Sequence, residues 1–116
     1  MLEQLKKKFP KLFSNCSNNL DISIGGGWRD LVEGLCLSIE ELLDEDNDVV
    51  VLQIKEKFGG LRFYFEGSVE GITDLVRDAS SKSFRICETC GKEGSLTAKG
   101  YRYRTICEAC IRNENT

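Results

Sequence analysis

The 116-residue sequence predicts an α+β fold in which a β-hairpin, or a small antiparallel sheet, packs on two helices and is followed by a cysteine-rich module. Three observations predict this fold: two segments with apolar residues at steps of three and four, two strand-like runs joined by a pair of glycines, and two C-x2-C motifs. The length and the hydrophobic content of 41% suffice for one core. We therefore divide the chain into an α+β core at residues 1–84 and a cysteine module at residues 85–116 that docks on it.

The core contains three helical segments and one short strand besides the hairpin. Residues 2–8 predict a short basic helix, and LDISI at residues 20–24 predicts a small strand. Residues 28–43 and 69–84 predict amphipathic helices, because apolar side chains recur on one face of each. In the first of these two helices the apolar positions are Trp28, Leu31, Val32, Leu35, Ile39, Leu42 and Leu43.

The hairpin is the segment KEKFGGLRFYF at residues 55–65, with strand-like runs on both sides of Gly59 and Gly60. A tight primed turn needs positive φ, which glycine supplies without steric cost, so we expect the two glycines to form the turn. That register places Lys57 opposite Arg62, two like charges that repel by about 0.2–1 kcal/mol. Alternation then predicts an apolar face made of Leu52, Ile54, Phe58, Leu61, Phe63 and Phe65. The polar face contains Gln53, Lys55, Lys57, Arg62, Tyr64 and Glu66.

Two explanations compete for the facing cations. In the internal explanation, carboxylates from elsewhere in the chain, for example from the acidic run at residues 40–48, cover the strands. In the external explanation, a phosphate-bearing ligand bridges the cations while Tyr64 offers its ring. Glu56 falls on the apolar side of the hairpin, where we expect it to pair with an arginine such as Arg62 or Arg85.

The cysteine module carries the motifs ICETC and ICEAC, separated by sixteen residues between the inner cysteines. This spacing allows four thiolates to converge on one zinc ion as a closed, structural site, in a treble-clef or ribbon-like fold. The predicted ligands are Cys87, Cys90, Cys107 and Cys110. Cys36 is interpreted as a core thiol, whereas nothing in the sequence identifies a partner for Cys16.

A second candidate anion site is IGGGWRDL, in which a glycine-rich turn at residues 25–27 joins a strand to a helix N-terminus. Trp28 and Arg29 would add a ring and a charge to a ligand site shared with the hairpin. In the alternative interpretation the glycines only allow a sharp turn and Trp28 is a core residue.

Composition narrows the functional classes. The chain has no histidine, which removes the commonest general base, and no constellation of residues specifies a reaction, so we expect a protein that is not an enzyme. The net charge is −3, but residues 82–112 hold seven Lys/Arg against three Glu. Arg85, Lys99, Arg102 and Arg104 therefore form a candidate nucleic-acid surface. Neither a signal-peptide pattern nor a membrane span is visible, which predicts a cytoplasmic protein without membrane contact.

These motifs resemble a family of small zinc-ribbon proteins found in bacterial and bacteriophage genomes. The resemblance covers roughly residues 5–112 and rests on GW-x2-L-V, on QIKEKFGGLRFYF and on the knuckles ICETCG and ICEAC. Family members often have an acidic residue in the turn where this chain has Gly25–Gly27, and a histidine where it has Cys110. The resemblance implies a phage-encoded accessory protein with one structural zinc.

Two functions are therefore expected. The first is a non-enzymatic binding protein, in a counter-defence role, that sequesters an anionic nucleotide-like signal or blocks a host protein. Its ligand residues would be Trp28, Arg29, Lys55, Lys57, Arg62 and Tyr64. The second is a nucleic-acid-binding or regulatory module built on the zinc ribbon, and a homo-oligomer is possible in both cases.

Overall fold

The computed structural model describes residues 1–114 and has the predicted α+β architecture, with small sheets and four α-helices among these residues. The cysteine-rich segment forms a zinc-ribbon-like module after the third helix. The elements are α1 (Leu2–Lys8), β1 (Asp21–Ser23), a 3-10 turn (Gly26–Trp28), α2 (Arg29–Glu40), β2 (Val50–Lys57), β3 (Gly60–Glu66), α3 (Ile72–Ser83), β4 (Ser95–Lys99), β5 (Arg102–Ile106) and α4 (Glu108–Glu114).

The main sheet has the strand order β1-β2-β3. The predicted hairpin forms β2 and β3, and β1 runs parallel to β2 with Ile22 opposite Ile54. One face of this sheet packs against the helices in a core that contains Ile54 and Leu61 from the strands together with Val32 from α2 and Ile72 from α3. On the other face the side chains are exposed or half-buried, so the sheet is covered on one side only.

The predicted hairpin register is wrong by two residues. Lys57 pairs with Gly60, and Lys55, not Lys57, lies opposite Arg62. The turn consists of Phe58 and Gly59, with φ of 54° and 82°, as a two-residue primed turn requires. Gly60 is a glycine for another reason: a Cβ there would lie 2.4 Å from Cζ of Phe84, which packs on it. A shift of two residues leaves each side chain on its predicted face.

Two members of the predicted apolar face are exposed. An irregularity between Val51 and Gln53 interrupts the alternation of β2, so that Val51 is buried and Leu52 is 46% exposed. Phe58 lies in the turn and is 60% exposed.

α1 has the predicted bounds, whereas α2 and α3 are shorter than the segments predicted for them. α2 ends at Glu40, which leaves Leu42 exposed while Leu43 returns to the core. α3 begins at Ile72, after Gly71 with a φ of 95°. None of the helices formed by residues 1–114 has the length and apolar character of a membrane span.

Candidate metal centre and anion-binding face

The four predicted cysteines converge at one point of the C-terminal module. Their Sγ atoms all lie within 4.8 Å of one another, and the Cys90 and Cys107 sulfurs are 3.7 Å apart. Four sulfurs at about 2.3 Å from a zinc ion, at tetrahedral corners, are separated by about 3.8 Å. The cluster can therefore hold a metal ion, and its donor type and size suit zinc.

Local backbone geometry positions each pair of cysteines. In the first knuckle, residues 87–91, the Gly91 N–H donates to the Cys87 carbonyl at 3.0 Å, and Gly91 has a φ of 83°. The hairpin of β4 and β5 then leads to the second knuckle, residues 107–110, which overlaps the start of α4. A sequence of knuckle, hairpin and helix is a treble-clef arrangement of the kind expected.

The surroundings of two of the thiols, Cys87 and Cys110, shift their pKa values in opposite directions. Burial opposes ionisation of Cys87, but N–H donors from Cys90, Cys107 and Thr89 outweigh it and bring the Cys87 pKa to about 6. For Cys110, hydrogen bonding with the Cys107 thiol and burial raise the pKa to about 12. Backbone N–H groups of both knuckles thus stabilise a thiolate at Cys87, which is the form that binds a metal.

The glycine turn at residues 25–27 packs against the first knuckle, backbone against backbone. The Gly27 N–H donates to the Glu88 carbonyl at 2.8 Å. A Cβ on Gly27 would lie 2.1 Å from the Cys87 carbonyl oxygen, and one on Gly25 would lie 2.3 Å from the Glu88 carbonyl oxygen. The glycines are needed for this close approach, and the knuckle occupies the position where the candidate anion would bind.

Trp28 and Arg29 do not join the ligand surface. The Trp28 side chain is completely buried and donates its Nε1–H to the Ile86 carbonyl at 2.8 Å, so it is a core residue and cannot stack on a ligand. Arg29 is exposed, but its side chain donates to Gln4 at 2.6 Å and pairs with Glu33 at 3.5 Å. Those contacts hold it among α1 and α2 side chains.

The module also contacts the turn of the β2–β3 hairpin. Thr105 is buried and donates its hydroxyl to the Gly59 carbonyl at 2.7 Å. The Phe58 and Tyr103 rings meet edge to face with centroids 6.2 Å apart. A Cβ on Gly59 would lie 2.5 Å from Cδ1 of Leu96. The turn is therefore held between its own strands and the cysteine module.

Two carboxylates accept backbone hydrogen bonds beside this contact. Glu56 accepts the Gly59 N–H at 2.7 Å, so the predicted pairing of Glu56 with an arginine is wrong. Glu88 accepts the Thr105 N–H at 2.7 Å. Burial, with a smaller repulsion from Glu56, raises the Glu88 pKa above its ordinary value.

Four predicted ligand residues lie together on the uncovered side of the main sheet, and we call this group the basic sheet face: Lys55, Lys57, Arg62 and Tyr64. Lys55 lies opposite Arg62, and Gln53 lies opposite Tyr64. Within residues 1–114, no carboxylate oxygen lies within 4 Å of the charged nitrogens of Lys55, Lys57 or Arg62.

The acidic run does not neutralise this face. Glu40 accepts the backbone N–H groups of Lys11 and Leu12, and Asp48 accepts from Ser68 on the connection after β3. Within residues 1–114, the acidic run therefore does not supply the carboxylates of the internal explanation.

A different carboxylate, on β1, borders the face. Hydrogen bonds from Ser23 and from Gln53 lower the Asp21 pKa, and the Lys55 charge lowers it further. Sequence reasoning missed Asp21 and Ser23 because the partner of a parallel strand is not signalled locally. The alternation of LDISI was the one local signal, because it places the side chains of Asp21 and Ser23 on the same face of their strand.

Three of the four predicted nucleic-acid residues, Lys99, Arg102 and Arg104, line one pocket beside the β4–β5 hairpin, and Glu114 lines the same pocket. Arg104 forms a bidentate salt bridge with Glu114, with N–O distances of 2.6 and 2.7 Å. This salt bridge raises the pKa of Arg104 and lowers the pKa of Glu114. Lys99 and Arg102 face each other at the end of the β4–β5 hairpin, and Arg85 is exposed before the first knuckle. One of the four cations is thus already paired.

Comparisons with protein-family models, with curated proteins and with solved structures find no match to this chain. The resemblance to phage and bacterial zinc-ribbon proteins stays a prediction.

Proposed function

We propose that this protein is a non-enzymatic binding protein with a structural zinc ion, and that its basic sheet face takes an anionic, nucleotide-like ligand. One observation carries the proposal: Lys55 and Arg62 face each other on the uncovered side of the sheet, and no carboxylate in residues 1–114 pairs with either cation.

An anion bridging the two cations would turn their repulsion into attraction. Like charges in directly opposed positions destabilise a strand pair by about 0.2–1 kcal/mol. The planar guanidinium of Arg62 suits two oxygens of a phosphate, while a lysine contributes a compact charge. Tyr64 is 41% exposed on the same face and adds a ring and a hydroxyl. A phosphate-bearing ligand therefore fits the chemistry better than a simple inorganic anion does.

Zinc is assigned a structural role. Four thiolates complete its coordination, so no position is left for a water or a substrate. Cys87, Cys90, Cys107 and Cys110 would hold it, and it would supply the cross-link that keeps the two knuckles and the β4–β5 hairpin together. Ligand thiols that must stay reduced suit a cytoplasmic location.

The biological setting rests on the resemblance alone. A phage-encoded protein of this chemistry would act by sequestering a nucleotide signal of host defence or by blocking a host protein. The sheet face is compatible with the first role because its charge is positive and uncovered.

The proposal is tested by isothermal titration with ADP and with inorganic pyrophosphate. The double variant Lys55→Gln with Arg62→Gln is compared with a control that removes the same charges elsewhere, Lys7→Gln with Arg77→Gln. We expect the face variant to lose affinity for both probes while the control binds like the unmodified protein. An equal loss of affinity in both variants, or no loss of affinity in the face variant, would show that the basic sheet face is not the binding site.

A further inference from the structure

Phe58 is the most unusual residue of the hairpin. Its φ of 54° lies in the left-handed region, which bulky side chains rarely adopt and which a primed turn normally assigns to Asn, Asp or Gly. Within residues 1–114 it is the only residue other than glycine with a positive φ. Its ring is nevertheless 60% exposed, so burial of the ring does not account for this costly conformation.

The surrounding contacts fix the direction of the ring. The Gly59 N–H is held by the Glu56 carboxylate and the Gly59 carbonyl by the Thr105 hydroxyl, each at 2.7 Å. The Phe58 and Tyr103 rings are nearly perpendicular, with an interplanar angle of 79°, and Tyr103 is itself 44% exposed. An aromatic ring is thus presented to solvent by a turn that is held on both sides.

Positive charge lies over one face of this ring. The Lys57 ammonium is 5.8 Å from the centre of the Phe58 ring, as in a cation–π contact, and Lys57 belongs to the basic sheet face. Phe58 in the turn, Lys57 and the Lys55–Arg62 pair follow one another along the hairpin. An exposed ring with cations beyond it along the strands suits a nucleobase joined to phosphates. A ligand without an aromatic ring would make no stacking contact with Phe58. A cationic ligand would be repelled by Lys57.

We propose that Phe58 is a base-stacking residue, and that the ligand is a nucleobase joined to phosphate, with the base on Phe58 and the phosphate toward Lys57 and the Lys55–Arg62 pair. This inference rests on the proposed function, since it names the ligand class of the same site. A free nucleotide and a single-stranded nucleic acid share this chemistry, because every base has a face that can stack.

The alternative is a purely structural role, in which the Phe58 ring only packs against the cysteine module. The module has other contacts with the hairpin turn, including the Thr105 hydroxyl and the Leu96 side chain. Loss of the ring should therefore leave the fold intact, which separates a binding role from a structural one.

The test uses Phe58→Asn in the zinc-loaded protein. Asparagine tolerates the left-handed conformation, so the variant removes the ring and keeps the turn. The control is Tyr101→Asn, which removes a fully exposed ring from the tip of the β4–β5 hairpin. Trp28 fluorescence and zinc content verify that both variants are folded.

We expect Phe58→Asn to weaken ADP binding about 5- to 150-fold, the range that stacking of one base corresponds to, and to leave inorganic pyrophosphate affinity unchanged. Tyr101→Asn should alter neither affinity. An unchanged ratio of ADP to pyrophosphate affinity in Phe58→Asn would overturn the stacking role while leaving the anion site intact. A face variant of Lys55 and Arg62 that still binds pyrophosphate would instead overturn the site itself.

A ten-residue oligodeoxyadenylate distinguishes the two sources of the ligand. Tighter binding of the oligonucleotide than of ADP, with a steep loss of affinity as salt rises, would identify a single strand, because each neutralised phosphate releases counterions. Binding of ADP at least as tight as that of the oligonucleotide would identify a free nucleotide. Failure of the unmodified protein to bind ADP, the oligonucleotide and pyrophosphate would overturn the inference and the proposed function together.

Discussion

Substitution of Gly27 by alanine should separate the first knuckle from the core. The added Cβ would lie 2.1 Å from the Cys87 carbonyl oxygen, 2.6 Å from the Gly91 nitrogen and 2.7 Å from the Glu88 carbonyl carbon. All three are backbone atoms, so no side-chain rotation relieves the overlap. The knuckle must move away from residues 25–27.

The loss of stability is estimated from the contacts that this movement disturbs. Overpacking of a tight contact costs about 1–3 kcal/mol. The hydrogen bonds from Gly27 to Glu88 and from the Trp28 indole to Ile86, each 2.8 Å long, would lengthen, at about 0.5–1.5 kcal/mol each. We therefore expect Gly27→Ala to lower the free energy of unfolding by about 2–6 kcal/mol.

The neighbouring glycine supplies the control. A Cβ on Gly26 meets no atom within 4 Å, so Gly26→Ala should change the free energy of unfolding by less than about 0.5 kcal/mol. Urea denaturation of the zinc-loaded proteins, followed by fluorescence of the single, buried Trp28, measures both variants. A chelator competition should also show weaker zinc binding in Gly27→Ala. Identical urea midpoints for the two variants would refute the contact between knuckle and turn.

Four further predictions concern the turn, the core thiol, the sheet face and the metal. Thr105→Val should cost about 1–3 kcal/mol in urea denaturation, because the Gly59 carbonyl loses its buried partner; unchanged stability would show that this bond is absent. Burial raises the Cys36 pKa from 9.0 to about 12, so the folded state holds this proton more tightly, and the free energy of unfolding should fall as pH rises above 9. In Cys36→Ala that fall should be smaller; parallel pH profiles would assign it to other groups. Replacing Arg62 alone by glutamine should raise stability by about 0.2–1 kcal/mol and weaken ligand binding, because it removes the repulsion and keeps the attraction between Lys55 and Asp21; a less stable variant would argue that Arg62 is neutralised within the chain. Acidification or a chelator should release one zinc ion per chain and lower the stability of the module, because the ligands bind as thiolates; a metal content of zero in protein purified at neutral pH would contradict the metal assignment.

Local sequence signals predicted the parts of the molecule that depend on local geometry. The spacing of the two C-x2-C motifs was enough to bring Cys87, Cys90, Cys107 and Cys110 together, because each knuckle is a tight turn and a hairpin joins them. Likewise, the periodicity of residues 28–43 located α2 within a few residues of its ends.

Glycines caused the main errors, because a glycine can be required by a distant contact as well as by its own φ. Gly59 and Gly60 were both assigned to the turn, yet Gly60 is required by the Phe84 ring, which approaches from the end of α3. Gly25–Gly27 suggested an anion site or a sharp turn, yet Gly25 and Gly27 admit a knuckle sixty residues later in the chain. Neither contact leaves a signal in the local sequence.

The same limitation applies to the ligand surface. Alternation placed Lys55, Lys57, Arg62 and Tyr64 on one face, and the structure has them there. Helical periodicity had already placed Trp28 among the apolar positions, and the side chain is buried. Alternation could not show that Asp21 lies on the adjacent strand, since that depends on how distant segments pack.

The most direct test of the anion-binding face is a backbone chemical-shift map of the isotopically labelled, zinc-loaded protein during titration with ADP. The proposal predicts that the largest changes occur at residues 53–58 and 62–64, with little change along α2 and α3. Changes centred on residues 95–106, or on the glycine turn, would contradict the assignment and place the ligand on the cysteine module.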